Sequence, residues 1–105
     1  MKEKILQKLY GGFVQLHILY HAKHRPVYGV WMMGELKTHG YNIGPGTIYP
    51  LLAGMTSSGL LEKTEKNVNG KIRKYYAITP LGVAVFEDAG KKAAELFHEI
   101  EETGK

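Results

Sequence analysis

The dipeptide Asn69-Gly70 constrains this chain more than any other feature. Asn-Gly favours the two positive φ angles of a two-residue hairpin turn. Here it sits within Val68-Asn69-Gly70-Lys71, between Leu60–Glu65 and Ile72–Thr79, which read as two paired strands. Everything on either side of that hairpin has a helical period. Ile5, Leu6, Leu9, Phe13, Leu16, Leu19 and Tyr20 recur at steps of three and four over residues 3–22, with Lys4, Lys8 and Gln15 on the other side. Arg25-Pro26 ends that helix, because the residue before proline is pushed out of helical geometry. A shorter helix over 28–38 buries Met32, Met33 and Leu36 and stops at Gly40. Pro45 suits the first position of a third helix over 45–58, whose stripe is Ile48, Leu51, Leu52 and Met55. Thr79-Pro80 is a cap followed by a first-turn proline, and it opens a long amphipathic helix.

The order is therefore helix, helix, helix, hairpin, long helix. Two short helices joined by a tight link and followed at once by a basic hairpin describe a winged helix-turn-helix. The expected class is α+β, mostly helical, with a long C-terminal dimerisation helix. Residues 1–80 form the DNA-binding unit including the N-terminal helix, and residues 81–105 the dimerisation helix, all in one compact body.

A chain of 105 residues has room for one modest core. It has no cysteine, which removes disulfides, thiolate metal sites and cysteine nucleophiles. No apolar stretch approaches the roughly 20 residues that span a bilayer, so a cytoplasmic location without a membrane partner is expected. No Ser/His/Asp set, carboxylate pair or phosphate-cradling loop is visible, and Gly44-Pro45-Gly46 lacks the lysine of a nucleotide loop. No catalysis and no cofactor are expected. The net charge of +4 is unevenly spread: residues 1–80 carry 11 Lys/Arg against 4 Asp/Glu, and residues 81–105 carry 3 against 6. A basic body with an acidic end suggests a polyanion-binding surface kept apart from another role at the C-terminus.

Four blocks, in order and properly spaced, resemble the PadR family, named for the phenolic acid decarboxylase regulator. They are Pro26-Val27-Tyr28-Gly29, then Pro45-Gly46-Thr47-Ile48-Tyr49-Pro50-Leu51-Leu52, then Ser58-Gly59-Leu60-Leu61, then Gly70-Lys71-Ile72-Arg73-Lys74-Tyr75-Tyr76, continued by Ile78-Thr79-Pro80-Leu81-Gly82. The resemblance covers about residues 16–82. It implies a homodimeric regulator of transcription, usually a repressor, that dimerises through its C-terminal helix, and the short chain is similar to the family's small-subunit branch. Some relatives respond to phenolic acids or flat hydrophobic drugs. Ala53-Gly54, Thr56, Gly44, Ile72 and Trp31 depart from the usual pattern, so no DNA sequence preference carries over.

On this reading the third helix enters the major groove, where base edges carry a legible code. Thr47 and Tyr49 lie near its N-terminus, and Gly46 leaves room for close backbone approach. Tyr28 offers a hydroxyl to phosphate while its ring packs inward. Lys71, Arg73 and Lys74 of the wing supply phosphate contacts, unless Glu62 and Glu65 of the opposite strand pair with them. Packing alone is the competing role for Tyr49 and Thr47. The dimer seam is Leu81, Val85, Ala89, Ala93, Leu96 and Ile100, with Phe86 and Phe97 beside it, and its competing role is packing on the first helix of the same chain. Trp31, with Phe86 and Phe97, is the candidate for contact with a small aromatic effector. His17, His21 and His24 share one face, but surface histidines account for them better than a metal site. Two functions compete: a homodimeric regulator on double-stranded DNA, and a winged-helix adaptor module without specific DNA readout.

Overall fold

The structure, a computed structural model, describes residues 1–103. Gly104 and Lys105 of the expected dimerisation segment lie outside the described residues. The elements are α1 (Lys2–His24), α2 (Gly29–Thr38), α3 (Pro45–Ser57), β1 (Leu61–Val68), β2 (Lys71–Ile78) and α4 (Pro80–Thr103).

Both helices of the α2–α3 pair end by the same local device. Gly40 (φ 89°) and Gly59 (φ 83°) take left-handed backbone, which only glycine adopts cheaply. Tyr41 N–H then donates to the Leu36 carbonyl and Leu60 N–H to the Met55 carbonyl, so each helix end is satisfied while the chain turns sharply. After α3 that turn throws the chain directly into β1. Asn69 (φ 54°) and Gly70 (φ 83°) form the two-residue turn that Asn-Gly favours. The strands run right up to it, from Leu61 opposite Ile78 to Val68 opposite Lys71; β1 is longer than the run read from sequence, and β2 is the expected length, shifted by one residue. The Asn67 side chain accepts a hydrogen bond from Gly70 N–H and locks the tip.

Val27, in the link after α1, pairs with Tyr76 through two backbone hydrogen bonds of 2.9 and 2.8 Å. That pairing fixes the start of α2 against the base of the hairpin. Thr79 caps α4 as expected: its hydroxyl accepts from Gly82 N–H at 2.9 Å while its own N–H reaches the Leu60 carbonyl.

The core is built from Val14, Ile18, Leu19 and Ala22 of α1, Met32 and Leu36 of α2, and Ile48, Leu52 and Met55 of α3, closed by Val27, Leu61 and Tyr76. The stripes read for α2 and α3 face inward. The stripe read for α1 does not. Of its members only Leu19 is buried, while Ile5, Leu9, Phe13 and Tyr20 are exposed. Helix α1 is apolar on two sides, and the side facing this core is the one through Val14 and Ile18.

Candidate nucleic-acid interface

The α3 helix starts at Pro45, which needs no N–H partner, after Gly44 as cap. Gly46, Thr47 and Tyr49 all lie exposed along its first two turns. Pro50 inside the helix has no N–H to return to the Gly46 carbonyl, so polar backbone stays open on that face. The buried side is held by Ile48 and Leu52, and this anchors α3 with its other side outward.

Between that outward side and the hairpin runs a groove of about 930 Å³. Tyr28, Tyr49, Lys71, Arg73 and Lys74 line it, five of the seven residues expected at a DNA interface. Gly46 and Thr47 stand beyond the groove on the leading turn of α3. Sequence reasoning missed Lys63, Thr56 and Ser57, which also line the groove. Lys63 was legible in principle, because an antiparallel register sets it opposite Tyr76.

The wing arginine is positioned by aromatic rings. Its guanidinium lies 4.2 Å from the Tyr28 ring centroid, and Tyr28 meets Tyr75 edge-on at 5.5 Å. A hydrogen bond to Tyr75 raises the Arg73 pKa above its ordinary value, and the cation rests against the Tyr28 ring. Tyr28 thus carries Arg73 on its face, a role the sequence did not reveal. Burial raises the Tyr76 pKa above its ordinary value.

Ion pairs join Met1 with Glu3, His21 and His39 with Glu35, and His98 with Glu102. None engages Lys71, Arg73 or Lys74 at ion-pair distance, although the register sets Glu65 directly opposite Lys74. Tyr49 is 40% exposed, and its ring lies over Gly29, where any side chain would collide with it. It therefore packs on α2 and faces the groove at once.

Along α4, Phe86 packs on the core margin near Tyr20, and Ala89 is half-buried. Leu81, Val85, Ala93, Leu96, Phe97 and Ile100 are exposed. Trp31 is also exposed, with its indole edge-on to His21 at 5.3 Å. The histidines regroup: His24 turns to Tyr20, and His39, just past α2, joins His17 and His21.

A helix-turn-helix whose second helix opens onto a cationic β-hairpin defines the winged-helix class of DNA-binding proteins. Residues 18–88 match the family profile described as "Transcriptional regulator PadR-like family". The chain is 40% identical over 87 residues to Transcriptional regulator Rv3488 of Mycobacterium tuberculosis, covering 83% of this chain and 81% of that one. It is similar in structure to a PadR family regulator from Eggerthella lenta (TM-score 0.82, 27% identity, 98% of this chain and 91% of that one). A PadR-like regulator from Bacillus cereus superposes with TM-score 0.83 at 30% identity, covering 93% of this chain and 97% of that one. The chain belongs to the PadR-like family of transcriptional regulators. No described helix is long and apolar enough to cross a membrane.

Proposed function

We propose that the chain is a homodimeric repressor that reads a pseudo-palindromic operator, each subunit placing α3 in a major groove and its wing on the flanking backbone. The observation that carries this reading is the groove, which Lys71, Arg73 and Lys74 line beside the exposed side of α3, none of them in the ion pairs named above. Wing cations supply sequence-independent affinity. Thr47 and Tyr49, with Gly46 allowing close approach, supply discrimination. Half-sites are then expected about one helical turn apart, roughly 10 base pairs centre to centre.

The test is binding of the full chain to DNA from upstream of its own gene, against shuffled DNA of equal length and at two salt concentrations. A regulator retains the upstream DNA selectively. Equal, weak retention of both would favour the adaptor reading, to which the small neutral residues Ala53 and Gly54 on α3 lend some support. In this reading a flat aromatic effector releases the operator. Titration with phenolic acids or planar dyes should change Trp31 emission and lower operator affinity together, since a switch requires different affinities for the two dimer states.

A further inference from the structure

Outside the groove, with no lining residue in common, α1 and the end of α2 bring four ligating side chains together. His17 and His21 are one turn apart on α1. Glu35 lies in α2, and His39 stands four residues further on, at the helix end. The ligating atoms of His17, His21 and His39 all lie within 4.8 Å of one another. The Glu35 carboxylate Oε2 is 3.4 Å from His21 Nε2 and 3.2 Å from His39 Nε2. Its approach to His21 is close but poorly aligned, so the buried His21 Nε2 has no hydrogen-bond partner. A buried polar atom left in that state is costly and calls for an explanation.

We infer that His17, His21, His39 and Glu35 form a binding site for one divalent transition-metal ion of the zinc class. Three imidazoles and one carboxylate are a donor set that suits zinc, cobalt and nickel. Metal–nitrogen bonds of about 2.0–2.1 Å bring tetrahedral ligand atoms to within about 3.4 Å of each other. His39 is exposed and stacked on His17 with ring centroids 4.5 Å apart, so it is the ligand free to rotate inward. The two α1 histidines are already suited to ligation. Burial is the largest cause lowering both pKa values, which favours the neutral imidazole a metal requires. Phe13, Leu16, Tyr20, Tyr41 and Phe86 wall the cavity with largely apolar surface and lower the local polarity around an ion. Occupancy would tie α1 to the link that leads into α3. The site stands on these four side chains and holds whether or not the chain reads DNA.

Metal-stripped full-length protein titrated with Zn²⁺ by calorimetry, and with Co²⁺ by visible absorption, tests the inference. The expected result is one ion per chain, intense tetrahedral Co²⁺ bands displaced by Zn²⁺, and a change in the emission of Trp31, which touches His21. Losing an outer-sphere partner weakens metal sites about 10–100-fold. His39→Ala and His21→Gln, which remove direct ligands, should weaken binding by at least that much. His39 is exposed, so its variant keeps the fold, and circular dichroism checks the other. His24→Ala and His98→Ala should bind like the wild type. Binding below one equivalent, or binding that survives both ligand variants, overturns the assignment.

Discussion

Two glycines show how closely single residues fit the winged-helix body. Gly82 lies in the first turn of α4, where an added Cβ would meet the Leu60 carbonyl and the Ile78 side chain. That carbonyl already accepts from Thr79 N–H, so it cannot move aside without breaking the α4 cap. Alanine gains about 0.5–1 kcal/mol of helix propensity over glycine, but overpacking against fixed backbone costs about 1–3 kcal/mol. Gly82→Ala should therefore destabilise the fold. Gly34, in the middle of α2, has nothing near its Cβ position, so Gly34→Ala should stabilise it by about 0.5–1 kcal/mol. Urea unfolding of both variants checks the opposite signs, and two shifts of the same sign would reject this account. The capping role of Thr79 was legible because capping is local chemistry. The Gly82 contact was not, because it joins residues that only the fold brings together.

Among the elements, the hairpin was the most legible. Asn69-Gly70 fixes its turn, the turn fixes the register, and the register fixes which side chains meet. What remained hidden was the support of Arg73 by Tyr28, because Tyr28 reaches the wing only through the Val27–Tyr76 pairing. Helix α1 was misread for a physical reason. Its period is satisfied by two apolar stripes, and a single sequence does not say which one meets α2 and α3. The wing and α3 should separate in a binding experiment. Replacing Lys71, Arg73 and Lys74 with alanine should weaken binding to operator and random DNA alike. If all three contact phosphate, the slope of log K against log salt should fall by about 2.7. Thr47→Ala or Tyr49→Phe should instead reduce discrimination, by about 1–3 kcal/mol for a true base contact. Equal losses on both DNAs for every variant would show that α3 does not read bases.

At the scale of the whole molecule, the single chain is not a finished globule. Its radius of gyration is 15.2 Å, against about 13 Å for a compact chain of this length. The excess comes from α4, whose 24 residues extend about 36 Å, well past the core. Leu96, Phe97 and Ile100 on its distal half are 53–61% exposed, and Ile5, Leu9 and Phe13 of α1 add further exposed apolar surface. Exposed apolar side chains in this number point to an interaction site where they adjoin. The helix α4 itself was legible because its apolar period is clean. Its division was not: Phe86 near the root packs against the core margin, while Leu96, Phe97 and Ile100 stand largely exposed. Under the proposed homodimer, a second copy covers the distal half of α4 and the outer stripe of α1 about a two-fold axis. Because Leu96 and Phe97 lie outside the core, the double change of Leu96 and Phe97 to Asp should leave circular dichroism unchanged. It should also convert the protein to single chains in sedimentation equilibrium. Operator affinity should fall steeply with it, because two half-sites held on one dimer bind far more tightly than two independent subunits. A wild-type protein that sediments as single chains at micromolar concentration would reject the dimer and the two-fold operator together. A variant that stays dimeric would move the interface to the α1 stripe alone.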